Sequence, residues 1–200
     1  MIRKGILFIV SAPSGTGKTS LCRELLRAFP DLILSTSSTT RPQRSGEQEG
    51  KDYFFLTQEQ FEKKIQKKEF AEWAVVYGHR YGTSLEFINS QTERGTDLLF
   101  EIDTRGALAL QSKYPEAVLI FIFPPSLDHL RARLEHRAQN TKEELQERLQ
   151  KAEEELHQSA KHDYFIVNDV FEEALAKLKA IIIAERSRKE RVRPSLKGLF

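Results

Sequence analysis

Five short apolar runs recur along the chain: GILFIV (5–10), LILST (32–36), TDLLFEID (96–103), AVLIFIFPP (117–125) and DYFIVND (163–169). Runs this short and continuous predict strands buried on both faces, the pattern of a parallel sheet. Between them the period changes. Leu21, Cys22, Leu25, Leu26 and Phe29 fall at helical spacing over 19–29 and stop before Pro30, and an alanine- and leucine-rich helix is expected from Asp103 to Tyr114. Strand and helix in alternation predict an α/β fold, a mainly parallel sheet flanked by helices. A single domain over 1–200 is expected, with its core in about 1–36, 95–130 and 160–200.

Two segments break the alternation. From Arg41 to Tyr81 the chain is polar, aromatic and turn-rich, with a short strand candidate in DYFFL (52–56). A helix follows over 58–68, and Thr57 and Gln60 stand at capping-box spacing. This region reads as an inserted subdomain, about 37–94. The second segment, about 131–159, is a pair of charged helices. Leu127, Leu130 and Leu134 mark one face, and Leu145, Leu149, Ala152 and Leu156 mark another that starts at a Thr141–Glu144 capping box. The polar break HRAQNT (136–141) between them suggests a hinged lid.

Composition narrows the classes. Of 200 residues, 31 are basic and 29 acidic, for a net charge of +2, so no general affinity for nucleic acid or membrane is expected. The basic run RSRKERVR (186–193) reads as a solvated helix end. One cysteine, Cys22, excludes an internal disulfide and a thiolate zinc cluster, and its helical spacing makes it a small core thiol. His79, His129, His136, His157 and His162 are scattered and suggest no metal site. The amino-terminal apolar run is too short for a signal peptide, and no run reaches transmembrane length. A cytoplasmic protein, monomer or homodimer, is expected.

The first strand runs into SAPSGTGKTS (11–20), one residue short of the phosphate-loop pattern G-x-x-x-x-G-K-[ST], because Ala12 replaces the first glycine. Gly15 and Gly17 can take positive φ and bring backbone N–H groups close to phosphate oxygens. Lys18 would neutralise the terminal phosphates, Thr19 is placed for Mg²⁺, and a helix amino terminus adds its dipole. The plainer alternative is a turn of small residues, but the strand before and the helix after are those the motif needs. The expected ATP contacts are Ala12, Pro13, Ser14, Gly15, Thr16, Gly17, Lys18, Thr19 and Ser20.

A second phosphate clamp is suggested by SSTTRPQRSGEQEGKDYFFL (37–56), which sets Arg41 and Arg44 around a proline with Tyr53 beyond Gly50. This stretch resembles the signature of the guanylate kinase family, matched by Thr39, Thr40, Arg41, Arg44, Glu47, Gly50, Tyr53 and Phe55. Similarity continues through EFAEWA (69–74), YGTS (81–84), EID (101–103), RLEHR (133–137) and VND (167–169), nearly the whole chain.

The resemblance implies a P-loop nucleoside monophosphate kinase that uses ATP, with Mg²⁺, to phosphorylate GMP and dGMP. It implies that Arg41, Arg44, Tyr53 and Tyr81 hold the GMP phosphate and that Ser37, Glu72 and Thr83 read guanine. Glu101 and Asp103 match an acidic pair acting at guanine and near Mg²⁺. Lys18, Arg41, Arg133, Arg137 and Arg148 match the charges around the transferring group, and Asn168 matches a position near adenine. The plainer readings are a surface glutamate for Glu72 and a solvated strand end for Glu101 and Asp103. Ala138, Gln139 and Asn140 depart from the family's glycine, threonine and acidic residue, and Arg105 stands where glutamine is more familiar.

Three other classes compete. A non-catalytic module of the same family would lack the intact loop and the lid arginines. A regulatory GTPase would share Asp103 to Gly106 (D-x-x-G), but the chain has no N-K-x-D to read the base. A kinase for AMP or a pyrimidine nucleotide is disfavoured by Glu72 with Ser37.

Overall fold

The computed structural model describes residues 3–76, 78–136 and 142–196. The elements run β1 (Leu7–Ser11), α1 (Lys18–Ala28), β2 (Leu32–Leu34), β3 (Ser38–Thr39), β4 (Phe54–Phe55), α2 (Gln58–Gln66), β5 (Phe70–Val76), β6 (His79–Ser84) and α3 (Leu85–Glu93). They continue as β7 (Asp97–Glu101), α4 (Thr104–Lys113), β8 (Val118–Phe123), α5 (Leu127–His136), α6 (Lys142–Gln158), β9 (Tyr164–Val167), α7 (Phe171–Arg186) and α8 (Lys189–Val192).

The five apolar runs form one sheet in the order β2-β7-β1-β8-β9, with every pairing parallel. Every residue of β1 is buried, as a strand covered on both faces requires. One core layer lies between the sheet and α1 with α7, where Phe8, Val10, Leu21, Cys22, Leu25, Leu178 and Ile182 meet. The other lies under α3 and α4, where Leu7, Ile9, Ile88, Phe100, Ala107 and Leu110 meet. Each such side chain contributes roughly 1.5–3 kcal/mol on full burial. Cys22 is the core thiol its spacing predicts, and burial pushes it well above the ordinary thiol range.

The inserted region builds a second sheet, β4-β3-β6-β5. The expected capping box is present: Thr57 accepts from the Gln60 N–H and Gln60 accepts from the Thr57 N–H. The β5–β6 hairpin and α3 were not anticipated from the pattern. Val76 pairs with His79, and Gly78 before it has φ 76°. The Ser84 hydroxyl then caps α3 by accepting from Phe87 N–H.

Several expectations need correction. Leu127 is exposed and leaves the α5 face to Leu130 and Leu134, both fully buried. The basic run at 186–193 is a solvated helix end only in part, with Arg188, Lys189 and Arg193 exposed. Arg186 pairs with Asp97 and Asp31, and Arg191 with Glu185, because two buried carboxylates need cations where the sheet's amino-terminal edge meets α7. His162 is buried against Phe121. The Thr141 cap lies outside the described residues, among which no helix is long and apolar enough to cross a membrane.

Candidate active site

The glycine-rich loop leaves β1 at the carboxyl edge of the sheet and enters α1. Gly15 and Gly17 have φ 90° and 95°, the left-handed conformation glycine was expected to supply. Ala12, where the motif has its first glycine, is 6% exposed and its methyl belongs to the hydrophobic core. The methyl that stands in place of the glycine hydrogen therefore packs in the core. Lys18 Nζ donates to the Ile102 carbonyl at 2.9 Å, and the Thr19 hydroxyl donates to the Glu101 carboxylate at the end of β7. Ser14 and Ser20 are exposed, and Pro13 is buried with its carbonyl accepting from Thr16.

In the second sheet Glu72 and Thr83 are cross-strand partners of β5 and β6, which puts their side chains together. Thr83 Oγ1 donates to Glu72 Oε1 at 2.7 Å, and both residues are buried. Burial raises the Glu72 carboxyl above its ordinary range, the Thr83 bond lowers it, and nearby Asp103 raises it further. Asp103 caps α4, accepting from Gly106 N–H at 2.9 Å. A methyl group on Gly106 would lie 3.2 Å from both Asp103 Oδ1 and Glu72 Oε2, so the two carboxylates converge there. Glu72 is thus no surface glutamate, and Asp103 no solvated strand end.

Arg41 lies two residues past the end of β3 and is 8% exposed. Its guanidinium stacks 5.2 Å from the Tyr53 ring centroid, and Tyr53 meets Tyr81 edge-on at 5.8 Å. Arg44 is exposed beside them, and Ser37, half-buried, accepts from Phe54 N–H through its carbonyl. Burial raises the Tyr53 hydroxyl, and Tyr81 and Glu101 add to the rise. Its counterpart on α6 is Glu155. Burial pushes this carboxyl up to about 7, Lys151 and Lys18 pull it down, Asp103 raises it and Arg105 lowers it. Between β5, α4 and α6 lies a cleft of about 360 Å³ lined by Asp103, Arg105, Lys151 and Glu154. A larger cavity, about 590 Å³, opens at the far edge of the sheet by Arg3, Ile6, Tyr114 and Arg191, remote from these groups.

Residues 4–185 match the sequence model of a family described as Guanylate kinase. A guanylate kinase of Geobacter sulfurreducens is 46% identical over 200 residues, covering 100% of this chain and 98% of its own. This chain belongs to the guanylate kinase family. One from Caldanaerobacter subterraneus is 45% identical over 189 residues, covering 94% and 92%. The crystal structure of guanylate kinase from Anaplasma phagocytophilum superposes with a TM-score of 0.81 at 32% identity, over 98% of this chain and 95% of that one. The chain is accordingly an enzyme, a nucleoside monophosphate kinase with the P-loop fold.

Two residues expected from guanylate kinases to face nucleotide bond to the loop itself. Arg133 Nη1 donates to the Thr16 carbonyl at 3.3 Å. Asn168 is 5% exposed and donates from Nδ2 to the same carbonyl at 2.7 Å. The lid was expected to hinge as a pair of helices; α5 packs on the loop, and its Leu130 and Leu134 also meet Ala152 of α6. A methyl on Gly15 would lie 3.1 Å from Leu134 Cδ2 and 3.3 Å from Leu130 Cδ1. Arg148 is half-buried on α6, and Arg137 lies outside the described residues. Arg105 is 68% exposed and pairs with Glu154 at 3.6 Å.

Two functional residues were missed as site residues. Glu47, noted only as a signature position, grips Arg41. Gly106 gives the Glu72 and Asp103 carboxylates their room, and a glycine inside a predicted helix was its only signal.

Proposed function

We propose that this chain transfers the γ-phosphoryl group of ATP to GMP, giving ADP and GDP, and that it accepts dGMP as well. One observation carries the reading. Glu72 and Asp103 converge on Gly106 beside the Thr83 hydroxyl, in a chain that also holds a phosphate loop. Guanine presents N1–H and N2–H₂ as adjacent donors that such carboxylates accept, and Ser37, next to the Ser38–Gly82 pair of β3 and β6, would supply a donor to O6. Adenine lacks the donor pair and would leave a buried carboxylate unpaired.

Arg41, Arg44, Tyr53 and Tyr81 hold the GMP phosphate in this reading, and the loop from Pro13 to Ser20 cradles the ATP triphosphate. An oxygen of the GMP phosphate attacks the γ-phosphorus in line and ADP leaves. No strong general base is needed, because a phosphate monoester with a second pKa of roughly 6 is already largely ionised at neutral pH. Catalysis rests on alignment and on fixed positive charge. Lys18 exchanges its bond to Ile102 for the terminal phosphates. Arg133, Arg137 and Arg148 close on the transferring group.

The Thr19 hydroxyl and the Glu101 carboxylate, in contact with each other, are hard oxygen donors of the kind Mg²⁺ takes in small number beside phosphate and water. Thr19 would hold the ion with Glu101 next to it, where it would supply charge neutralisation between the phosphates.

ADP release measured with ATP and each of AMP, GMP, CMP and UMP tests the assignment. GMP is expected to be preferred by roughly a hundredfold or more, and equal turnover of all four overturns it.

A further inference from the structure

The Thr16–Gly17 peptide sits at the turn where the loop becomes α1, and its carbonyl is held from two sides. Asn168 Nδ2 donates to Thr16 O at 2.7 Å and Arg133 Nη1 donates to it at 3.3 Å. Asn168 is itself fixed, because its backbone N–H donates to Phe123 O at 2.9 Å, at the end of β8. The fit is close. A methyl on Gly17 would lie 2.7 Å from Asn168 Nδ2, so the amide occupies the space a side chain would need. On the other side of the same residue, Thr16 Oγ1 and Thr16 N–H both donate to Pro13 O, at 2.8 and 3.2 Å. Gly17 is the residue before α1, and no side-chain cap bonds that helix start.

In a trans peptide the carbonyl and the N–H point in opposite directions. We infer that Asn168 is a positioning residue for the donor triphosphate: by holding the Thr16 carbonyl outward, it aims the Gly17 N–H into the hollow of the loop. A flipped peptide would present an oxygen to phosphate oxygens and withdraw one donor at once. Arg133 cannot provide this hold throughout the reaction if it moves to the transferring phosphoryl group. Asn168 has no such second duty. Its bond is the shorter of the two, and its backbone is tied to the sheet. The inference rests on the loop's proposed role as the ATP cradle and assigns Asn168 to the phosphates rather than to the adenine base.

Steady-state kinetics and tripolyphosphate binding of the full chain, wild type against Asn168→Ala and Asn168→Asp, test it. The aspartate variant keeps the shape and removes the donor, and thermal melting checks that each variant is folded. The kcat/KM for ATP is expected to fall roughly ten- to hundredfold, with KM for GMP unchanged within about twofold. GTP and CTP as donors should lose by the same factor, and inorganic tripolyphosphate, which has no base, should bind more weakly in calorimetry by a similar one. A loss confined to ATP with tripolyphosphate binding intact would assign Asn168 to adenine and overturn the inference. So would unchanged kinetics, or a parallel rise of both KM values with a lowered melting temperature. Wild-type failure to phosphorylate GMP would instead overturn the proposed reaction, and tripolyphosphate calorimetry would still read the role of Asn168.

Discussion

The Arg41 guanidinium is locked to the Glu47 carboxylate by two bonds, Nη2 to Oε1 at 2.7 Å and Nη1 to Oε2 at 3.1 Å. The same carboxylate accepts from Arg44 N–H at 2.8 Å, so one side chain ties the turn that carries both arginines. The Arg41 hydrogen bond, and the backbone bond from Arg44, hold the Glu47 carboxyl below the ordinary carboxylate range. Removing its charge frees the guanidinium to rotate before GMP arrives. Glu47→Gln is expected to raise KM for GMP about tenfold while leaving KM for ATP unchanged. A lower KM for GMP would mean that Glu47 competes with phosphate for Arg41 instead of orienting it.

Glu72 sets function against stability. Burial raises its carboxyl above the unfolded value, so the folded state binds the proton more tightly. Stability then falls as pH rises from the unfolded carboxyl range through the raised folded value. Glu72→Gln is expected to lose most of the preference for GMP over AMP, yet to melt about 2 °C higher at neutral pH. Below both pKa values the two proteins should melt alike. Activity profiles across the four nucleotides and melting curves at two pH values check both halves.

Burial pushes the Glu155 carboxyl up to about 7, while Lys151 and Lys18 pull it down. Phosphate anions arriving at Lys18 would favour its neutral form still more. ATP binding is therefore expected to take up a proton near neutral pH, and affinity should weaken as pH rises through that range. Calorimetry in two buffers of different ionisation enthalpy reads the uptake directly. Glu155→Gln should abolish this component; an unchanged uptake would locate the proton elsewhere.

Lys18 donates to one backbone carbonyl, Ile102 O, and is half-buried. Its replacement removes a charge from the phosphates and little from the core. Lys18→Ala is expected to lower turnover by roughly a thousandfold or more, with melting shifted by no more than about 2 °C. Full activity in the variant would remove the loop from the reaction.

The chain's own pattern determined much of this protein. Continuous apolar runs have only one stable use in a chain of this kind, a covered parallel sheet, so β1, β2, β7, β8 and β9 were legible before any coordinates. The loop glycines were legible for a similar reason, since positive φ at Gly15 and Gly17 is a local requirement. The candidate guanine site was legible in residue type, through Glu72, Thr83 and Asp103, but not in arrangement. Their meeting depends on the β5–β6 register and on how α4 starts, which packing against β5, about thirty residues earlier in sequence, decides. Tertiary structure alone decided that Ala12 is core, that Glu47 holds Arg41, and that α5 lies on the loop. It also turned Asn168 onto the Thr16 carbonyl, a contact between residues 152 apart that no local pattern encodes. Local sequence carries φ, period and charge. Which polar groups share a buried bond is decided only when the chain closes on itself.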